Sequence, residues 1–166
     1  VSGLTPALKW PNDLLLGERK LGGVLCESSG LAPSAFDQHG FVIVGIGINV
    51  NTPRAAFPED LRDIATSLAS ETGRRHDRAA LLAALLNAME SRYDRLLANE
   101  RNDAEHEYRN LCATVGRRVR VELAGGERLE GRAEAILEDG SLRIVRDDTL
   151  AGAIVEVRAA DVVHLR

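Results

Sequence analysis

At Thr114–Gly116 the sequence changes texture, and that change constrains the fold more than any other feature. Downstream run RRVRVEL, RLEGRAEAIL, SLRIV and AIVEVRAADVVHLR, where apolar and charged residues alternate as they do along half-buried strands. Gly125-Gly126, Asp139-Gly140 and Gly152 punctuate these stretches at turn positions. Short strands in such close succession predict a small β-barrel over residues 114–166. Its Arg and Glu residues alternate onto what should be the wet face, and a solvated face explains them better than a binding groove. The stretch from Val115 to Arg166 is expected to fold without the residues before 113, marginally, because so short a piece buries a small core.

Residues 1–113 read differently. Ala7–Trp10 and Leu14–Leu16 suit short strands, separated by Pro11-Asn12-Asp13, because Pro11 has no amide to give to a ladder. Gly17-Glu18 reads as a hairpin turn into a partner strand over Arg19–Glu27. Ser28–Gly40 is loop-like, with Gly30, Pro33 and Gly40. FVIVGIGINV, Phe41–Val50, is too densely apolar for an edge and is expected to be a central strand. Asn51–Asp63, with Pro53 and Pro58, reads as a surface loop, followed by a short helix around Ile64–Ser70. Asp77 is a credible N-cap for a long helix whose leucines, from Leu81 to Leu97 with Met89, form a wide apolar stripe. Core packing explains that stripe better than a coiled-coil seam, because no heptad pattern is sustained. A further helix is expected over Asp103–Cys112.

Composition excludes several classes. A net charge of −4 argues against a nucleic-acid or anionic-membrane partner, and one Trp, two Tyr and three Phe leave little for base stacking. No apolar run approaches the ~20 residues of a membrane span, and no signal-peptide pattern opens the chain. Cys26 and Cys112 form no CxxC pair and are expected to be buried small hydrophobes in a reducing compartment, with the cytoplasm as the default. The absence of an initiator Met suggests a fragment or a processed chain.

Chemistry concentrates in LKWPNDLLLGERKLGGVLCE, Leu8–Glu27. His39, His76, His106 and His164 are scattered without ligand spacing, and satisfied or surface histidines explain them. GIGIN at Gly45–Asn49 offers part of a dinucleotide fingerprint, but the third glycine and the following helix are missing. Glycines inside a strand instead let a ligand approach the backbone, and Gly22-Gly23 in the neighbouring strand says the same. Side by side, the pairs would form a flat slot. By alternation Lys20 faces with Gly22 and Val24, as a point charge for a carboxylate or phosphate at the slot's mouth. Asn12, Asp13 and Asn49 end strands at the same edge. Taken from spacing alone, a plain turn at Asn12-Asp13 and a solvated hairpin lysine are the better explanation.

The combination LKWPNDLLL…RKLGGVLCE followed by VIVGIGINVN resembles the biotin protein ligases, in that order and over essentially the whole chain. The resemblance implies an α+β fold, a mixed sheet flanked by helices and related to class II synthetase catalytic domains, then a small C-terminal barrel. Residues 1–113 would be the C-terminal part of the catalytic domain and 114–166 the barrel domain. It implies ATP-dependent formation of biotinyl-adenylate, then transfer of biotin to a lysine of a biotin carboxyl-carrier protein of the acetyl-CoA carboxylase type. Lys20 matches the family's lysine at the biotin carboxylate and α-phosphate, the catalytic position. Gly23, Leu25, Gly45 and Gly47 match the biotin slot, while Asn12, Asp13 and Asn49 match nucleotide-contacting positions. Asp13 would orient Lys20 or meet Mg²⁺.

The family's Gly-Arg-Gly-Arg phosphate loop and Ser-Thr-Asn biotin contacts occur nowhere in these 166 residues, so the chain resembles the C-terminal portion of a ligase. A non-catalytic carrier-binding module and a lipoate-type ligase are the alternatives. The Lys-Trp-Pro-Asn-Asp block with Gly-Gly-Val-Leu favours biotin over lipoate.

Overall fold

A computed structural model describes residues 2–29, 41–98, 101–123, 126–148, 152–158 and 160–165. The chain forms two compact units, one of residues 12–76 with Ser2, the other of residues 3–11 and 77–166.

In the unit of residues 12–76, strands β2 (Asp13–Leu16), β3 (Arg19–Ser29) and β4 (Phe41–Ile48) pair antiparallel in chain order. The predicted turn joins β2 to β3, with Gly17 at φ +60°, a left-handed conformation that glycine takes without strain. The β2–β3 register runs Asp13 to Gly23 and Leu14 to Gly22, then jumps to Leu15 opposite Lys20. Leu21 is therefore the extra residue of a β-bulge. A single parallel bridge between Lys20 and Ala65 makes the pairing mixed, as predicted. Leu15, Leu16, Leu21, Phe57 and Leu68 are buried.

The short helix begins later than predicted. Residues 64–66 are drawn alongside Lys20, so α1 covers only Leu68–Thr72, with Ser67 capping the Ser70 amide and Gly73 closing the helix at φ +70°. The expectation of a central β4 also fails. Among the described residues β4 pairs with β3 alone, at the end of the sheet, and Phe41, Val42 and Ile43 are each more than half exposed. Apolar density marks a strand suited to burial on both faces; it does not supply the neighbour. Cys26, opposite Val44, is exposed with it, against the expected burial, and Cys112 is half-buried. Residues 30–40, with Pro33 and His39, lie outside the described residues.

In the other unit, β1 (Ala7–Lys9) forms a parallel bridge from Leu8 to Cys112, just after α3 (Arg101–Leu111). Helix α2 (Arg78–Leu97) starts at the predicted cap, where the Asp77 carboxylate accepts the Ala79 and Ala80 amides at 2.8 and 3.2 Å. The predicted core packing of its stripe is not found. Leu81 and Leu85 are half-buried, while Leu82, Leu86, Leu96 and Leu97 stand exposed.

Strands β5 (Arg118–Glu122), β6 (Arg128–Ile136), β7 (Leu142–Arg146), β8 (Ile154–Val157) and β9 (Asp161–His164) form an antiparallel sheet in the order β8-β7-β6-β5-β9. It is open. The predicted small barrel is found as a five-stranded sheet that does not close among the described residues, since its edge strands β8 and β9 do not pair with each other. Alternation and turn residues specify neighbours along the chain, whereas closure depends on shear between strands distant in sequence. The wet face is as predicted, laced by ion pairs such as Arg120 to Glu130 at 2.8 Å and Arg143 to Glu156 at 3.1 Å. On the other face Val119, Val121, Leu142 and Ile144 are fully buried. Their core includes Trp10, only 2% exposed, whose amide donates to Thr114 Oγ1 at 3.0 Å and whose indole Nε1 donates to the Gly140 carbonyl at 2.9 Å.

Candidate functional site

Strands β3 and β4 approach more closely than side chains allow at one place. A Cβ on Gly22 would sit 2.1 Å from the Gly47 carbonyl oxygen, so glycine is obligatory there. A Cβ on Gly47 would meet nothing within 4 Å and would stand in open space. That space is a cavity of about 680 Å³, lined by Lys20, Gly22, Gly23, Gly47, Ile48 and Asn49. Phe57, Leu61, Ile64 and Ala65 form its apolar wall.

Of the residues expected at the slot, Lys20, Gly22, Gly23 and Gly47 line this one cavity and Gly45 does not. The Lys20 ammonium lies 2.5 Å from Asp13 Oδ1, with the lysine side chain 53% exposed and the aspartate 18%. Lys20 does not face with Gly22, as simple alternation predicts. Its Cε is 3.7 Å from where a Cβ on Gly23 would sit, because the bulge at Leu21 inverts the alternation of β3. The Lys20 backbone is held on both sides. Its amide donates to the Ile64 carbonyl at 2.7 Å, and its carbonyl accepts the Thr66 amide at 2.9 Å.

Asn12 is clasped to β3. Its Nδ2 donates to the Val24 carbonyl at 2.8 Å, and its own carbonyl accepts the Val24 amide at 2.9 Å. Asn49 is fixed through its backbone, the amide donating to Leu21 and the carbonyl accepting from Leu68, each at 2.9 Å. Leu25, 61% exposed, and Gly45 face each other further along the β3–β4 ladder, away from the cavity walls.

Phe57 and Leu61 were missed by the reading of Asn51–Asp63 as a surface loop, and Ile64 by its assignment to the start of a short helix. The available signal was three large apolar residues among prolines and charges, an unusual content for a solvated loop. The histidines follow expectation where described. His76 is buried with Nε2 2.7 Å from Thr72 Oγ1, and its amide donates to Asn51 Oδ1 at 2.9 Å. His164 Nε2 meets Thr114 Oγ1 at 3.0 Å. No group of three metal-ligating side chains occurs among the described residues. Asp13, already bound to Lys20, does not form a protein cage for Mg²⁺, although one carboxylate beside substrate phosphates is how that ion is often held. No described helix is long and apolar enough to cross a membrane.

Known proteins resemble this arrangement. Residues 3–49 match the model of the biotin/lipoate A/B protein ligase family, and residues 114–165 match that of the biotin protein ligase C-terminal domain. The biotin–[acetyl-CoA-carboxylase] ligase of Mycobacterium tuberculosis is 38% identical over 159 residues, covering 96% of this chain and 53% of that protein. The bifunctional ligase/repressor BirA of Bacillus spizizenii is 32% identical over 161 residues, covering 97% of this chain and 47% of that one. The chain spans about half the length of these curated relatives. Among solved structures, biotin protein ligase from Aquifex aeolicus in complex with biotin and ATP superposes with a TM-score of 0.78 at 25% identity, over 99% of this chain and 64% of that one. The apo structure of that ligase gives 0.80, over 99% and 67%.

Proposed function

Because this chain belongs to the biotin protein ligase family, we propose that it supplies the lysine-bearing half of a site that makes biotinyl-adenylate and passes biotin to a carrier protein. The observation that carries the reading is the Lys20 ammonium on the rim of a glycine-floored slot with an apolar far wall. A flat, side-chain-free floor suits a fused ring system and its aliphatic tail, and the wall of Phe57, Leu61 and Ile64 suits an apolar or aromatic ring. Polar recognition then falls to the rim, from Lys20 and Asn49.

In the first step a biotin carboxylate oxygen attacks the α-phosphorus of ATP, and pyrophosphate leaves. Two anions must meet. A fixed ammonium between them offsets their repulsion and stabilises the charge that gathers on the phosphoryl oxygens. Asp13 holds that ammonium over Gly23 until substrate competes for it. In the second step the amine of a carrier-protein lysine attacks the biotinyl carbonyl, an amide bond forms, and AMP departs. Asp13 is the residue that would hold a Mg²⁺ ion in this reading, and the ion would supply charge neutralisation at the ATP phosphates. The slot residues Gly23 and Gly47 bear the biotin ring, with Leu25 and Gly45 extending the same strands, and Asn12 and Asn49 serve the nucleotide end.

The biotin reading is preferred to lipoate because residues 114–165 match a domain model specific to biotin protein ligases. The carrier is proposed to be a biotin carboxyl-carrier protein of the acetyl-CoA carboxylase type, by likeness to the mycobacterial enzyme's name, and the location to be cytoplasmic.

The test is single-turnover adenylate formation by the complete protein carrying this chain. Lys20→Ala should lower the rate ~10²–10³-fold and shift stability by under ~0.5 kcal/mol, the usual effect of losing an exposed side chain. Adenylate formation at the unaltered rate in that variant refutes the role.

A further inference from the structure

We propose that Glu71 is a positioning residue for Lys20, acting through Thr66 and Arg19; this rests on the ligase reading of Lys20. Thr66 is 1% exposed, and its hydroxyl donates to Glu71 Oε1. The same oxygen accepts an ion pair from the Arg19 guanidinium at 2.7 Å. Arg19 immediately precedes Lys20 on β3, and the Thr66 amide is the donor to the Lys20 carbonyl. The contacts close a ring. One limb is the peptide from Arg19 to Lys20, another the Lys20–Thr66 hydrogen bond, and Glu71 joins the two from the first helix after the slot.

The ring matters because residues 64–66 do two things at once. Ile64 and Ala65 are part of the apolar wall, and Ile64 and Thr66 grip the Lys20 backbone from either side. The spacing between the ammonium and the wall is therefore set by how segment 64–66 lies against β3. The Lys20 side chain is too exposed for packing to fix it. Burial of the Thr66 hydroxyl makes the bond to Glu71 costly to lose, since the hydroxyl has been removed from water. A buried Thr in this place, with its acceptor also tied to the residue beside the lysine, gives Glu71 leverage over both faces of the slot.

The complete protein should be compared with Glu71→Ala, Glu71→Gln, Thr66→Val and Thr66→Ser in two measurements. The first is the maximal single-turnover rate of adenylate formation together with KM for biotin. The second is amide hydrogen exchange at Lys20 and Thr66, with Val24, bonded to Asn12, as the internal control. Displacing a reacting group by an ångström costs about 10²-fold, so a partial slackening should lower the maximal rate about tenfold in Glu71→Ala and Thr66→Val. KM for biotin should change less than about twofold, because the slot floor is untouched. Exchange at Lys20 and Thr66 should speed up at least about tenfold while Val24 stays protected. Glu71→Gln retains an acceptor for Thr66 and should lose less than Glu71→Ala, and Thr66→Ser should recover most of what Thr66→Val loses.

Unchanged rates in both Glu71→Ala and Thr66→Val overturn the proposal. So does a rate loss in which Val24 loses protection along with Lys20 and Thr66, since that marks general loosening. Thr66→Val, which keeps the side chain's shape, decides the matter if Glu71→Ala does not fold. Failure of the unaltered protein to make any adenylate refutes the ligase reading itself, and the exchange pattern alone then decides whether Glu71 sets Lys20.

Discussion

Gly22 and Gly47 line the same slot, but a methyl group added to each meets opposite surroundings, and the contrast gives the sharpest test of the site. In Gly22→Ala the new Cβ would lie 2.1 Å from the Gly47 carbonyl oxygen, and 3.1 Å from both the Gly47 carbonyl carbon and the Ile48 Cα. These are backbone atoms of a paired strand, so no side chain can swing aside. Normal contact is about 3.5 Å, and β4 must retreat by roughly 1 Å or more to restore it. Overpacking of this kind costs about 1–3 kcal/mol. For a unit the size of residues 12–76 each kcal/mol is about 4–8 °C, so its melting temperature should fall by roughly 4–24 °C. In Gly47→Ala the Cβ meets no protein atom within 4 Å, and alanine in a strand gives up less conformational entropy than glycine. Melting should stay level or rise slightly, while the methyl group occupies the slot and weakens biotinyl-adenylate binding by tenfold or more, about 1.4 kcal/mol. The assays are thermal melting of this chain followed by circular dichroism, and calorimetric titration of the complete protein with the adenylate. A Gly22→Ala protein that melts with the parent refutes the close approach. A Gly47→Ala protein that binds adenylate as tightly as the parent refutes the assignment of the slot.

Trp10→Ala should destabilise the unit of residues 3–11 and 77–166 by about 3–5 kcal/mol, read from denaturant midpoints, because the indole is only 2% exposed within this core. For the same reason a piece starting at Thr114 should give poorly dispersed amide spectra, against the expectation of independent folding, since it lacks the Trp10 side chain of its own core. Tyr108 should titrate near pH 12 in a phenolate absorbance scan, raised from 10.0 first by burial and then by Cys112, and Tyr108→Phe should abolish that step. Both folded and unfolded chains hold the phenol neutral below pH 10, so stability from this group is intact there and declines as pH rises from about 10 to about 12, where only the unfolded chain ionises.

Local signals read correctly because they act over a few residues. The Gly17-Glu18 turn, the Asp77 cap and the period-2 alternation of Arg118–Glu122 each depend on side chains next to the backbone they govern. The readings that failed needed a partner. Alternation placed Lys20 with Gly22, but the bulge at Leu21 is a property of the β2–β3 register and leaves no mark on β3 alone. The helix expected from Ile64 starts at Leu68 because residues 64–66 are taken up by hydrogen bonds to Lys20, more than forty positions away. Whether β4 is central, or the last sheet closes, depends on which strands stand at the edges. The apolar wall from Phe57 to Ile64 was hidden by its prolines, which mark a loop's conformation and say nothing of whether the loop is wet.

The Trp-Pro-Asn-Asp block is contiguous in sequence yet serves separate physical ends. Trp10 is a core residue of one unit, and Asn12 and Asp13 belong to the other. Their spacing to Gly23 follows from the geometry of β2 and β3. Asn12 takes both the amide and the carbonyl of Val24, which fixes the strand entry and leaves Asp13 opposite Gly23. A side chain at position 23 would come within 3.3 Å of the Asn12 carbonyl and 3.4 Å of Asp13 Oδ1, crowding the carboxylate that holds Lys20. The bulge then supplies the missing rotation, turning Lys20 toward that carboxylate when an unbroken strand would point it to Gly22. The cation therefore owes its place to a glycine, a bulge and an asparagine clasp acting together. None of these is a charged group, yet together they bring the Lys20 ammonium to Asp13.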